Sequence, residues 1–415
     1  MRQNHPKWQG SADSSSLKKR FLVSILSFLL LFFGTVLFLS CSPKNEASSS
    51  SAINGFLYRM FNSFDPRSFL ENMGKNVIPP LYQDLATKAD SLKSDADNLC
   101  DSVTVSQFQN TWKQNIAALK KVEMFQFGPA VGPYAKVDSF PFSYISETPP
   151  VADDMDLIDL FSGVNSGAAA TYVDPVSGPL PKDSKGIVGI EYLAFSQADP
   201  SRGTDPDCTY LQPTPGNPTP RLLLLRAMVN QYKVNVHAMT DLWDSGAASP
   251  YGDQLAAGTA FSSSTAALDA IYGGTIQLLT AMKDGRLEIP AGLAAGGNGS
   301  VQDLERAESR FSANSFQNLS DNLSAFKAVY TGNGTGAGLS DYVKFYSPAL
   351  DTEILQKITA VETDLTALNS TGWTNVPNLK TTVADLGEIL KILNVELAAL
   401  IGTSPVSGGP GGDGD

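Results

Sequence analysis

The chain has 415 residues, a net charge of −12 and a hydrophobic fraction of 42%, which is enough for a substantial core and for two domains of ordinary size. A chain this acidic repels phosphate, which argues against nucleic acid and against anionic lipid as partners. Acidity alone names no ligand.

Lys18, Lys19 and Arg20 precede an apolar run from Phe21 to Leu39, the layout of an export signal. Leu37-Phe38-Leu39-Ser40-Cys41 then looks like a bacterial lipobox, with Cys41 lipidated after cleavage. Phe38 and Leu39 are bulkier than usual there, and the run is nearly long enough to be an uncleaved membrane anchor. Both readings put the body outside the cytoplasm, with the basic cluster inside. The expectation is a signal peptide over 1–40 and a lipid anchor at Cys41 as the membrane contact. The protein then lies in the cell envelope, at the outer membrane facing periplasm or exterior. Removing residues 1–40 takes away five basic residues and one acid, so the charge moves from −12 to −16. Cys100 and Cys208 remain in a compartment where disulfides persist. Their spacing does not decide between a bridge and two separate thiols.

Residues 41–64 read as a Ser-rich tether. From Pro66 to Leu99 the apolar spacing is near-helical, and Pro79-Pro80 predicts a break with a new helix from Leu81. Val105 to Phe127 is predicted as one helix, because Phe108, Trp112, Ile116, Leu119 and Val122 recur at steps of three and four. Gly128-Pro129 stops it. Asp153, Asp154, Asp156 and Asp159 form an acid cluster that suits either a hard cation or a helix's first turn; the spacing is not that of a calcium loop.

Lys185-Gly186-Ile187-Val188-Gly189-Ile190-Glu191-Tyr192-Leu193-Ala194-Phe195 is apolar apart from Glu191 and, at its start, Lys185. Asp183-Ser184 can cap a helix start here. On that helix Ile187, Ile190, Glu191 and Ala194 share a face, so Glu191 is predicted to point inward. A buried carboxylate needs donors, a cation or a proton. One reading is a structural buried acid bonded to a Tyr, an Arg or a backbone N–H; a functional carboxylate is the other. Gly186 and Gly189 are poor helix formers and point to a close backbone approach.

A Pro/Gly-rich run from Asp199 to Pro220 marks a domain boundary near residue 219. Helices are predicted over Arg221–Trp243, carrying His237 four residues before Asp241, and over Ser264–Met282. Gly285–Ser300 reads as a loop. Val301–Tyr330 carries Glu308-Ser309-Arg310-Phe311-Ser312 and Asn314. A short helix opens at Leu339-Ser340-Asp341. Leu350–Leu368 and Leu379–Ile401 follow, the last with a stripe of Leu386, Ile389, Leu390, Leu393, Leu397 and Leu400. Residues 403–415 are a Gly-rich tail.

Three of these stretches together resemble the imelysin-like family. They are Trp112 running to Glu123-Met124-Phe125-Gln126-Phe127-Gly128-Pro129, then Gly186-x-x-x-x-Glu191 with Tyr192-Leu193-Ala194-Phe195, and Glu308-Ser309-Arg310-Phe311-Ser312-x-Asn314 running to Tyr330 and Gly332. The family hallmark Gly-x-His-x-x-Glu keeps its glycine and glutamate, but the histidine position holds Val188. Ala313 stands where relatives often have another histidine. The resemblance implies an all-α fold of two helical-bundle domains side by side, at 65–219 and 220–402, with a site in the cleft between them. Gly186, Gly189, Glu191 and Tyr192 would come from the first domain, and Ser309, Arg310 and Asp341 from the second. Glu123 is a further candidate. The resemblance also implies either a peptidase or an accessory of iron uptake with uptake components as partners.

The peptidase reading fits these residues badly. A catalytic zinc usually takes three protein ligands; Val188 and Ala313 supply none, and the only histidines are His5 and His237. No catalytic residue is assigned. Glu191 is the candidate ligand for iron or another hard cation, with oxygen donors from Tyr192, Ser309 and Asp341. A purely structural protein, with Glu191 in an ion pair to Arg310, is the remaining alternative.

Overall fold

The computed structural model describes residues 66–138, 169–173, 185–196, 206–243 and 248–398. Among them the fold is all-α. There are no strands, only two isolated bridges, Leu99–Val103 and Thr214–Asn217. The export signal with Cys41, the tether, the Asp153–Asp159 cluster and the Gly-rich tail lie outside the described residues, and no described helix is long and apolar enough to cross a membrane.

The longer helices are α1 (Ile78–Asp97), α2 (Val105–Val122), α3 (Gly186–Phe195), α4 (Pro220–Trp243), α5 (Ser264–Thr280), α6 (Ser315–Thr331), α7 (Leu339–Tyr346), α8 (Pro348–Thr371) and α9 (Val376–Lys391). The predicted break at Pro79-Pro80 does not occur. Both prolines sit in the first turn of α1, which follows directly on Arg67–Asn72 and the wide turn Met73–Val77. The wide turn has already shifted the hydrogen-bond ladder there, with the Ile78 N–H on the Met73 carbonyl, so the two missing N–H groups fall where the α pattern is interrupted rather than inside it.

Helix α2 starts in a capping box: Gln107 N–H donates to Thr104 Oγ1 at 3.2 Å, and Thr104 N–H to Gln107 Oε1 at 2.8 Å. Its predicted stripe is buried throughout. The α-helix stops at Val122 and tightens into a 3₁₀ turn over Glu123–Phe125, short of the predicted Phe127. Beyond α5 the helix widens over Ala281–Glu288, running past the expected end at Met282 into the start of the loop expected from Gly285. Helix α6 ends on Gly332 at φ 72°, a left-handed cap that glycine adopts without a Cβ clash. Leu386, Ile389, Leu393 and Leu397 are buried as expected, while Leu390 is half-buried; Leu400 lies outside the described residues.

α1, α2, α3 and α4 pack on one another, and α6, α8 and α9 form a second group with α5. Helix α4 follows the Pro-rich run, yet it packs on α1 and α3. Cys100 and Cys208 are joined, with Cα atoms 5.2 Å apart, tying the end of α1 to the chain entering α4. The two groups meet chiefly where α6 lies on α2, and one continuous apolar core runs from Phe69 to Ala398.

Candidate functional site

Helix α3 is held by its ends. Gly186 lies at φ +72°, and a Cβ there would stand 2.4 Å from the Val137 carbonyl oxygen, which accepts the Ile187 N–H at 3.1 Å. This is the close approach the sequence implied for Gly186; Gly189 is buried inside the helix. The residue before the helix is Lys185, whose side chain does not cap it; Asp183 and Ser184, the predicted caps, lie outside the described residues. At the other end the buried Arg221 of α4 donates to the carbonyls of Leu193 at 3.1 Å, Tyr192 at 3.0 Å and Ser196 at 3.3 Å. A cation at a helix C-terminus satisfies carbonyls that have no intrahelical donor. Along the side, the Trp112 indole N–H donates to the Ile187 carbonyl at 3.2 Å and Gln109 to the Ala194 carbonyl at 2.8 Å.

These contacts fix Glu191, which is buried. Its Oε1 accepts the Ser312 backbone N–H at 2.9 Å and the Ser312 hydroxyl at 2.8 Å. Oε2 takes no hydrogen bond among the described residues. Burial pushes the Glu191 carboxyl up to about 7; the two Ser312 bonds pull the other way, Glu308 adds to the rise and Arg310 opposes it.

Glu191 lines a small cavity with Trp112, Ile116, Ile187 and Val188 on its apolar walls and Lys120, Asp138, Glu308 and Ser309 on its polar ones. The space open to the centre of a water-sized sphere is about 10 Å³, at the lower limit for one water molecule. Val188, at the family's histidine position, faces this space with a side chain that can neither coordinate nor donate.

Behind the cavity lies a buried ionic cluster. Lys120 Nζ is 2.7 Å from Glu308 Oε1, 2.9 Å from Asp138 Oδ2 and 3.2 Å from Glu123 Oε2. Arg286 pairs with Glu123 and donates to Asn322 Oδ1 at 2.9 Å. Asn322 donates to Glu123 Oε2 at 3.0 Å and to the Lys120 carbonyl at 2.9 Å. Burial alone would strip the Lys120 proton; Asp138, Glu123 and Glu308 outweigh it and raise the ammonium above its ordinary range. Burial likewise opposes ionisation of Glu123, but Arg286 and Lys120 win and hold it below the usual carboxylate range. At Asp138 burial prevails, with Glu308 and Glu123 adding to it against Lys120, and its carboxyl is raised.

Of the predicted residues, Glu191 and Ser309 share the cavity. Ser309 Oγ accepts from Asn318 at 2.8 Å. Tyr192 is buried, its ring edge-on to Phe311 at 5.1 Å. Arg310 does not pair with Glu191. Its Nη1 donates to the Glu305 carbonyl at 2.8 Å and its guanidinium lies 4.6 Å from the Phe311 ring centre, so it reaches Glu191 only through its field. Asp341 is exposed, accepts the Gly338 N–H at 3.0 Å at the start of α7, and is not among the cavity-lining residues. His237 meets Asp90 at 2.9 Å rather than Asp241. Ala313 is exposed. Among the described residues no group of three or more His, Cys, Asp or Glu is arranged to hold a metal ion.

Sequence reasoning missed Ser312, Lys120, Asp138, Arg286 and Asn322. A signal for Lys120 was present: it falls four residues after Ile116 and eight after Trp112, on the buried stripe itself.

An all-α chain with a lone inward glutamate on a glycine-started helix, clasped by a later Ser-rich segment, is an imelysin-like architecture. The family model for imelysin, of the M75 peptidases, matches residues 78–387, and the chain belongs to that family. Two solved structures are similar in fold. One is an iron-regulated protein A precursor from Parabacteroides distasonis, at 17% identity and a TM-score of 0.64, covering 82% of this chain and 97% of that one. The other is an imelysin-like protein from Psychrobacter arcticum, at 14% identity and a TM-score of 0.59, covering 83% and 99%. No curated protein matches the chain.

Proposed function

We propose that this imelysin-family protein is a binding accessory of iron uptake at the cell envelope, lipid-anchored through Cys41, with its site at the seam around Glu191 where the two groups of helices meet. The observation that carries the reading is the state of that carboxylate. Ser312 fixes one oxygen with two bonds, while the other takes no hydrogen bond among the described residues, beside a cavity lined by further ionic side chains. An acid held this way is a preorganised anchor for a donor or a cation. The name of the Parabacteroides neighbour, an iron-regulated protein, supports the iron link. Peptide hydrolysis is disfavoured because Val188 stands one helical turn before Glu191, where the family's second ligand would be.

The test uses the purified full-length chain, incubated with ferrous iron, zinc or calcium, and separately with a peptide mixture. A melting-temperature rise with iron that disappears in Glu191→Gln supports binding. Cleavage of the peptides that is lost in Glu191→Gln overturns it in favour of a hydrolase. No effect of any metal, with Glu191→Gln changing stability alone, leaves the seam structural.

A further inference from the structure

We propose that residues 309–314 are a movable strap, and that their local opening is what gives a ligand access to the Glu191 cavity. This rests on the binding reading above for its purpose, but not for its test. The cavity has about 10 Å³, room for about one water, so any larger ligand requires a wall to move. Two of the walls are helix faces: Trp112, Ile116 and Lys120 on α2, and Ile187, Val188 and Glu191 on α3. Such packed faces do not shift without disturbing the core. The others are Asp138, held by Lys120 at 2.9 Å, and the chain at Glu308 and Ser309; both lie outside any helix.

That segment has the marks of a low-stability element. Ser309 and Ala313 both lie in the left-handed region, at φ 51° and 53°, a strain that persists only while the surroundings impose it. Its internal backbone bond is Asn314 N–H to the Ser309 carbonyl at 3.1 Å. Phe311 and Arg310 are half-buried and Ala313 is exposed. Toward α3 the strap is tied by the two Ser312 bonds to Glu191 and by the Phe311–Tyr192 ring contact. Both of its ends are anchored more firmly. Before it, Glu308 is locked to Lys120 at 2.7 Å; after it, Asn318 N–H donates to the Asn314 carbonyl at 2.9 Å as α6 begins. A short strained link between fixed ends, tied to α3 by a Ser312 latch and by Phe311, opens without unfolding its neighbours. Opening would free the Glu191 oxygen that Ser312 occupies and enlarge the space beside it.

Native-state hydrogen exchange on the ligand-free full-length protein tests this. The amides of Arg310 to Ala313 are expected to be protected roughly a hundredfold less than those of Leu319 to Phe326 in α6, and to exchange independently of low denaturant. Equal protection and equal denaturant dependence would show that the strap opens only with the whole fold, and the proposal would be wrong. Ser312→Ala removes half of the latch and should speed strap exchange by roughly tenfold while α8 and α9 are unchanged. Unchanged strap exchange overturns the latch. If that variant does not fold, Ala313→Gly serves instead: relief of the left-handed strain should slow strap exchange, and faster or equal exchange counts against the proposal. Ferrous iron added to the same samples separates the two ideas. A strap that opens locally but ignores iron keeps this inference and sinks the binding one.

Discussion

Ser312 donates both its backbone N–H and its hydroxyl to one oxygen of Glu191, at 2.9 and 2.8 Å, across a sequence separation of 121 residues. The serine precedes α6 and the glutamate lies in α3, so this contact joins the two groups of helices. Two donors on one oxygen favour the charged carboxylate, yet burial wins, and the acid is pushed up to about 7.

A carboxyl raised in the fold binds its proton more tightly there than in the unfolded chain, so its stabilising contribution is greatest below the unfolded value. The rise from 4.5 to about 7 means that this contribution is present below pH 4.5 and is lost as pH climbs to 7. The amount is about 3 kcal/mol. Glu191→Gln should remove that dependence. Denaturant unfolding at about pH 5 and about pH 8 is the measurement: the wild type should lose about 3 kcal/mol more between them than the variant does. An equal loss in both would mean that Glu191 titrates as an exposed acid.

Gly186 is where the helix carrying Glu191 meets the end of the preceding segment. Gly186→Ala places a methyl 2.4 Å from the Val137 carbonyl oxygen, at a φ of +72°. The strain should cost about 1–3 kcal/mol and displace Ile187, whose N–H bonds that carbonyl. Gly132→Ala is the control, since nothing lies within 4 Å of its added Cβ. Thermal unfolding of the two variants should separate them clearly, with Gly132→Ala close to wild type.

Much of this was legible in the sequence because it is periodic. The stripe from Phe108 to Val122 and the stripe from Leu386 to Leu397 each define a buried helical face, and a single acid in an apolar helix is visibly out of place. The partners of that acid were not legible. Ser309, Arg310 and Ser312 lie within four residues of one another, and which of them meets Glu191 depends on two left-handed residues, Ser309 and Ala313, that no helical or strand period encodes. Arg310 has the better charge for the task, but it stacks on Phe311, and a serine amide takes its place. Pro79 and Pro80 misled for a local reason: proline breaks a helix interior and suits a first turn, and the sequence alone does not say which position it holds.

The Cys100–Cys208 bridge closes a loop with a sequence separation of 108. Loop-closure entropy for a loop of that size predicts a stabilisation of about 4–5 kcal/mol as an upper figure, and measured bridges usually give about 2–4 kcal/mol. Replacing both cysteines by serine should therefore lower the unfolding free energy by about 2–4 kcal/mol. The loss should appear first at the chain entering α4, where Gln212 donates to Asp101 at 2.7 Å and Arg226 to the Leu99 carbonyl at 2.9 Å. Hydrogen exchange of that region, compared with and without reductant, checks the location, and denaturant titration checks the size.

Lys120 is the hub on which the two groups of helices depend. Its ammonium touches Glu123 from its own chain stretch, Asp138 from the end of the first described segment, and Glu308 from the second half of the chain. Lys120→Met keeps the volume of the stem and removes the charge, leaving three buried carboxylates of which Arg286 pairs with two, Glu123 and Glu308. Breaking a buried pair by deleting one partner costs about 3–5 kcal/mol, and Lys120→Met is expected to fall in that range by denaturant unfolding. The double variant Lys120→Met with Glu308→Gln removes one charge of each sign and should recover part of the loss, because the uncompensated anion is what makes the single variant unstable. The recovery, measured as a double-mutant cycle, should exceed about 1 kcal/mol; strict additivity of the two changes would mean that Lys120 and Glu308 do not act on each other, contrary to their 2.7 Å contact.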